Sequence, residues 1–303
     1  VRVAPNETAL IWKGGDGAWD FSTPNWTGQT SGSTLPFYNG LNVLFTNPVG
    51  GTITISPNVR PLSTTVNAGN YKFSGGPIAT GSLTKNGTGT LTLAGANTYS
   101  GNTAVNGGTL VANGKSALGG TTNFTVAGGA TLLLSGTTGA YTWPAIPATL
   151  TGAGTVSIPL GRGINVGLNF DMRAFTGILD LSNGMACVNA TYSPSAVSPT
   201  NGTIKVEPNT TLYLGWYAGT LNTTVQLNGG DGDQEHLGGV RSDNAAIQLD
   251  GAVILGANST IGSALIINAV ISDGGKGYGF TKISSGTVVL TATNTYSGPT
   301  IVT

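Results

Sequence analysis

Residues 83–106 read LTKNGTGTLTLAGANTYSGNTAVN, and residues 280–303 read FTKISSGTVVLTATNTYSGPTIVT. The two stretches align without a gap, 12 of their 24 positions are identical, and the block Asn-Thr-Tyr-Ser-Gly recurs unchanged. In both stretches Thr, Val and Leu alternate with small polar residues over short runs that end at Gly or Asn, which is typical of short β-strands joined by turns. A unit that returns in the same register predicts a repeat architecture.

The rest of the chain continues this pattern. Strict alternation recurs at Thr52–Ile55, Ala130–Leu134 and Thr155–Ile158, and Asn-Gly pairs, which accept positive φ at low cost, separate many of the runs. No amphipathic stretch of helical period is found, so the chain is predicted to be all-β. Turn signals every 8–12 residues or so fit a sandwich, a barrel or a solenoid. A parallel β-helix also explains the 8% content of charged residues, because stacked coils would place like charges about 4.8 Å apart.

Composition excludes several classes of function. Twelve basic residues balance twelve acidic ones, so no basic stripe is present to bind phosphates, and neither nucleic-acid binding nor a polybasic membrane patch is expected. The longest apolar run, Ala264–Ile271, is far shorter than a membrane span, and membrane insertion is not predicted. A single Cys and a single His exclude an internal disulfide framework and a zinc cluster built from cysteines.

The repeat resembles a known family. The pattern LTKxGxGTLxLxGxNTYSGxTxVxxGTL, which extends from Leu83 to Leu110, resembles the autotransporter-associated β-strand repeat, also called the passenger-associated transport repeat. The resemblance implies a secreted, right-handed parallel β-helix on a bacterial cell surface. The start at Val1 without Met is also typical of a chain whose leader has been removed. The sequence shows no series of lipid-facing strands of about ten residues, so a cleaved passenger, a fragment or a relative without a membrane barrel is expected.

The N-terminal segment differs from the rest. Trp12, Trp19 and Trp26 place three of the five Trp within 15 residues, and this stretch resembles the start of such repeat proteins. We predict that residues 1–35 form a Trp-rich cap that plugs one end of the hydrophobic tube, and that residues 36–303 form the β-solenoid. Two alternatives remain open for this segment, which are stacking of exposed Trp on sugars and a role as a donor strand.

The second repeat copy ends at Val302-Thr303, without a counterpart of the strand that completes the first copy at Gly107–Gly114. An open solenoid end exposes unpaired backbone groups that another chain can bond. Copies of the chain are therefore expected to assemble head-to-tail, with a trimmed end as the alternative. The residues expected to carry this assembly are Val1, Val3, Leu10, Ile11, Trp12, Thr300, Ile301, Val302 and Thr303.

One acidic cluster could carry chemistry. Asp231, Asp233 and Glu235 alternate along one loop and could offer carboxylate oxygens to Ca²⁺, although a solvated insertion loop is the preferred interpretation. His236 follows Glu235, yet no nucleophile or second base accompanies the pair. No catalytic residue is predicted, and calcium is the one cofactor considered.

Three functions follow in order. The leading hypothesis is a secreted, non-enzymatic structural protein whose β-solenoid subunits assemble into an extracellular filament or surface layer, by strand donation in one version. The alternative is an autotransporter-type passenger that acts as an adhesin and binds glycans or host surfaces. A polysaccharide-degrading enzyme is the third, and it would require carboxylates grouped on one face.

Overall fold

The computed structural model describes residues 6–136, 141–161, 165–187, 199–215, 219–243 and 247–303. The chain divides into two compact units, Val1–Gly136 and Thr137–Thr303. Every regular element in the described residues is a β-strand, which confirms the all-β prediction. Within the same residues, no helix has the length and hydropathy needed to cross a membrane.

The first unit contains short strands that form two sheets. These strands are β1 (Ala9–Trp12), β2 (Gly17–Trp19), β3 (Trp26–Gly28), β4 (Thr34–Leu35), β5 (Asn42–Phe45), β6 (Gly51–Ile55), β7 (Ser63–Val66), β8 (Tyr71–Gly75), β9 (Ser82–Lys85), β10 (Thr90–Leu93), β11 (Thr103–Val105), β12 (Thr109–Asn113), β13 (Asn123–Val126) and β14 (Thr131–Ser135). Sheet A1 has the order β13-β11-β9-β7-β5-β1-β3-β4, and sheet B1 has the order β2-β6-β8-β10-β12-β14. Successive strands of the chain thus return alternately to the two sheets.

Parallel pairing in register stacks the coils of the first unit. In sheet A1, Thr64 lies opposite Leu83, and Leu83 lies opposite Thr103, so these coils take 19 and 20 residues. Side chains alternate between the interior and the surface, as period-two sequence requires. In sheet B1, Leu91 and Leu110 stack inward with no exposed area. The first unit is therefore a parallel β-solenoid, as predicted.

Parallel pairing begins inside the segment expected to be the cap. Strand β1 pairs in parallel with β5, and β2 pairs in parallel with β6. On its other edge β1 pairs with β3 in antiparallel orientation, and β4 continues the sheet beyond β3, also antiparallel. The start of the solenoid is thus closed by a short antiparallel meander of its own chain.

The second unit repeats the architecture with a third sheet. Its strands are β15 (Tyr141–Thr151), β16 (Thr155–Pro159), β17 (Asn165–Asp171), β18 (Ile178–Ser182), β19 (Gly184–Cys187), β20 (Thr203–Val206), β21 (Thr210–Tyr213), β22 (Gly219–Leu221), β23 (Thr224–Leu227), β24 (Val240–Arg241), β25 (Ile247–Leu249), β26 (Val253–Leu255), β27 (Ser259–Gly262), β28 (Leu265–Ile267), β29 (Ile271–Ser272), β30 (Phe280–Ile283), β31 (Val288–Leu290) and β32 (Thr300–Val302). Sheet A2 has the order β32-β30-β27-β24-β21-β19-β17-β15, sheet B2 the order β16-β18-β20-β23-β26-β29, and sheet C2 the order β22-β25-β28-β31. The described ladders of all three sheets are parallel, so this unit is also a parallel β-solenoid.

Candidate functional site

A buried lysine holds the first repeat together. Lys85 is an inward-facing residue of β9 with no exposed area. Its Nζ donates to the carbonyl oxygens of Asn86, of Gly87 at 3.0 Å and of Gly107 at 3.2 Å. Burial lowers the pKa of the ammonium group, while three carbonyl acceptors satisfy its protons. Because Gly107 belongs to the next coil, Lys85 joins two corners of the stack.

The Asn-Thr-Tyr-Ser-Gly block provides a second bridge. Asn97 Oδ1 accepts from the backbone N–H of Ile78 at 2.9 Å, and its Nδ2 donates to the carbonyl of Ala117 at 2.7 Å. One amide thereby bonds the coil before it and the coil after it. Tyr99 fills the interior, 1% exposed, and its hydroxyl lies 3.1 Å from Thr103 Oγ1. Burial raises the pKa of this hydroxyl, so it remains protonated at neutral pH.

The second repeat forms the same bridges in part. Lys282, 8% exposed, donates to the carbonyls of Ile283 at 2.9 Å and of Ser284 at 2.6 Å. Asn294 Oδ1 accepts from the N–H of Ile271 at 2.8 Å, as Asn97 does from Ile78. Two sites with the same residues and the same bonds indicate that the recurring Lys and Asn serve the stacking of coils.

Asp273 closes a glycine-rich corner in the second unit, a residue that sequence reasoning missed. The carboxylate accepts from the Ser297 hydroxyl at 2.7 Å and from the N–H groups of Gly275 at 2.9 Å and Gly277 at 2.8 Å. The hydrogen bond from the Ser297 side chain, followed by those from backbone amides, holds the pKa of Asp273 well below its usual range. The side chain is buried, and these bonds favour its ionised form.

Acid should weaken this corner. The pKa of Asp273 is lower in the folded than in the unfolded chain, so its stabilisation is complete above the unfolded value of about 4 and is lost as pH falls below it. We expect the urea midpoint of unfolding to fall between about pH 5 and pH 2, and Asp273→Asn to reduce that dependence. Urea titrations followed by circular dichroism at several pH values test this. An unchanged pH slope in Asp273→Asn would contradict it.

The three N-terminal Trp form a core, so the cap interpretation is confirmed and stacking of these three residues on sugars is not possible in this fold. Trp12, Trp19 and Trp26 are 2%, 0% and 0% exposed. The ring of Trp19 packs edge-on against that of Trp26 at 5.3 Å and that of Phe37 at 5.4 Å between centroids. The cap therefore extends the hydrophobic interior to the end of the first unit.

The acidic loop does not gather its carboxylates around one point. Asp231 Oδ2 lies 2.6 Å from His236 Nδ1, and Glu235 pairs with Arg241. Asp233 is 2% exposed, and its Oδ1 accepts from the N–H of Glu235 at 3.1 Å. Within the described ranges, no group of three or more His, Cys, Asp or Glu residues is placed to hold a metal ion. The geometry adds no support to the calcium interpretation, which stays a prediction.

Arg241 in β24 is the partner that sequence reasoning missed, because no local motif marks it. Its guanidinium, in a side chain 9% exposed, binds Glu235 through Nη2 and Asp243 through Nη1 at 3.3 Å. The group lies 4.9 Å from the centroid of the Tyr213 ring, and the Tyr213 hydroxyl donates to Asp243 at 2.8 Å. Acidic, cationic and aromatic groups thus meet on one side of sheet A2.

The residues expected to carry assembly have different environments. Val1 and Val3 lie outside the described residues, and Leu10, Ile11 and Trp12 belong to β1, which is bonded on both edges. In this fold β1 could be donated only if it left its sheet. At the other end of the chain, Thr300, Ile301 and Val302 form β32 on β30, and Thr303 N–H donates to Lys282 at 3.0 Å. Ile301 is 47% exposed and Val302 is 76% exposed.

Comparison with known proteins agrees with the repeat geometry. The passenger-associated transport repeat model matches residues 83–112 and 280–303. The chain is 32% identical over 215 residues to the adhesin BmaC autotransporter of Brucella suis biovar 1 (strain 1330), which covers 59% of this chain. The match spans 6% of the length of that relative. No solved structure matches the chain.

Both repeat matches fall on the coils that Lys85 and Lys282 bond, so sequence similarity and structure select the same segments. These observations identify the chain as an autotransporter-associated repeat protein.

Proposed function

We propose that this chain is a non-enzymatic module of a secreted bacterial surface adhesin, in which β-solenoid coils form a scaffold that presents loops to a host surface. The observation that carries the proposal is the use made of buried polar side chains. Lys85, Asn97 and Asp273 spend their donors and acceptors on the backbone of neighbouring coils or corners. Polar groups saturated in this way stabilise a structure and are not free to act on a substrate. The similarity to an autotransporter adhesin supports the same role.

Adhesion can be measured directly. The chain would be displayed, with an epitope tag, on a non-adherent bacterium, and the bacteria bound to cultured epithelial cells would be counted. We expect several-fold more bound cells than with an empty display vector. Trp19→Ala, which disrupts the cap, should lose this gain at equal surface amounts of tag. Equal adhesion by the empty vector would contradict the proposal.

Head-to-tail assembly into a filament is the second candidate. Its support is the exposed pair Ile301 and Val302 on β32. The arrangement of β1 weighs against it, because antiparallel β3 occupies the edge that a parallel strand from a neighbour would need. We therefore rank the adhesin module first. Sedimentation velocity and electron microscopy of the pure chain distinguish the two, since polymers that lengthen with concentration would restore the filament to first place.

A further inference from the structure

Residues 228–239, here called the strap, connect β23 to β24 and lie over the outer side of sheet A2. Thr211 Oγ1 donates to the carbonyl of Gly238 at 3.0 Å and accepts from the N–H of Asp233 at 3.0 Å. Leu212 and Val240 pair in register, and both are fully buried. Their neighbours Tyr213 and Arg241 also pair in register, and strand alternation places them on the opposite side, where the strap meets them.

The guanidinium of Arg241 is only partly satisfied. Nη2 binds Glu235, Nη1 binds Asp243, and Nη2 also lies 3.6 Å from the sulfur of Met185. The remaining donor, Nε–H, is buried and has no hydrogen-bond partner in the described part of the chain. A buried donor without a partner costs about 1–3 kcal/mol, so the site as it stands is incomplete.

The empty donor has a definite chemical complement. Nε–H and one terminal NH₂ of arginine form a fork that matches the two oxygens of a carboxylate. Glu235 engages this group through Nη2 with one oxygen and leaves Nε–H unpaired. Asp243, bonded to Tyr213, and the Tyr213 ring fix the plane of the guanidinium. The fork is therefore positioned before any ligand arrives.

Access to the fork passes along Glu235. The side chain of Arg241 is 9% exposed, whereas that of Glu235 is 44% exposed, so Glu235 can swing into solvent at little cost. His236 and Asp231 in the same strap are 58% and 51% exposed, and their polar atoms can bond hydroxyl groups. An incoming molecule would thus meet a carboxylate receptor with hydrogen-bonding groups beside it.

We propose that Arg241 is a binding site for the carboxylate of an acidic sugar, and that Glu235 occupies this site when the sugar is absent. The choice of a sugar rests on the proposed adhesin function, because host surfaces carry glycans with acidic residues. The carboxylate site itself follows from the geometry alone. On binding, the ligand carboxylate takes the fork formed by Nε and Nη2, and Glu235 moves to solvent.

Calorimetric titration with methyl glucuronide tests the proposal, and methyl glucoside, which lacks the carboxylate, serves as the matched ligand. Glu235→Ala removes the internal competitor and should raise the affinity for methyl glucuronide at least tenfold over the natural chain. Asp231→Ala removes a carboxylate of the same strap that pairs with His236, and it should change the affinity less than twofold. Methyl glucoside should not bind to any of the three proteins.

Arg241→Lys keeps the charge but not the fork, so in the Glu235→Ala background it should lower the affinity at least tenfold. Circular dichroism would confirm that each variant is folded. Equal affinities of the natural chain and Glu235→Ala, or of the Arg and Lys forms, would overturn the site. Acetate binding as tightly as methyl glucuronide would overturn the sugar as ligand. These readouts use free ligand, so a failure of cell adhesion would not affect them.

Discussion

Replacing Trp19 with Ala is expected to lower the free energy of unfolding of the first unit by about 3–5 kcal/mol, the range for large aromatic residues removed from a packed core. The residue has no exposed area. Its ring centroid lies 5.3–6.0 Å from those of Trp26, Phe37, Phe45 and Phe73. Loss of the side chain would leave a cavity surrounded by rings that cannot all move inward.

Urea unfolding followed by circular dichroism measures this change. Trp19→Phe is the informative companion, because the buried Nε1 of Trp19 has no partner in the described residues, and Phe removes that unsatisfied N–H while it keeps most of the ring. We expect Phe to cost less than half as much as Ala. Val49→Ala, at a side chain 77% exposed, is the control and should stay within about 0.5 kcal/mol of the natural chain. A Trp19→Ala protein as stable as this control would contradict the cap.

Replacing Lys85 with Met is expected to cost about 3 kcal/mol. Met has a similar length and no donor, so the carbonyls of Asn86, Gly87 and Gly107 would lose a charged partner. A hydrogen bond to a charged group contributes about 1.5–3 kcal/mol. Part of that loss is recovered because an apolar side chain suits the buried position better than an ammonium group does.

Lys282→Met provides the matched comparison in the second repeat. Lys282 bonds two carbonyls and is 8% exposed, so water can replace some of what is lost, and we expect a cost of about 1–2 kcal/mol. Urea unfolding of both variants, with hydrogen exchange to locate the weakened strands, separates the two sites. Equal costs would show that the bond from Lys85 to the next coil adds no stability.

Much of the fold is predictable from local sequence. Alternation at Thr90–Leu93 sends Leu91 and Leu93 inward with no exposed area, and the same pattern along the chain makes each return a strand. The cap was predictable because three large aromatic residues within 15 positions can be buried together only at a wide end of the interior. The exact start of parallel pairing at Ala9 was not predictable, because β1 reads equally well as a free strand and as a paired one.

The candidate site was predicted only in part. The loop at residues 231–236 stood out because its carboxylates alternate, yet alternation does not say which cation they meet. The answer is Arg241 for Glu235 and His236 for Asp231. The carboxylates thus turn to separate partners. Asp273 gave no signal at all, since its donors Gly277 and Ser297 become neighbours only when two coils stack.

What the sequence determined by itself is the repeated strand unit, and with it the solenoid, because period-two alternation and turn residues act over a few neighbouring positions. What only the tertiary structure decided is which polar groups meet across coils. Gly107 is placed under Lys85 by a contact about 20 residues apart in the chain, and Met185 is placed beside Arg241 by one 56 residues apart. Such contacts depend on the lengths of the intervening corners and on the packing of every inward side chain between them, so no local pattern encodes them.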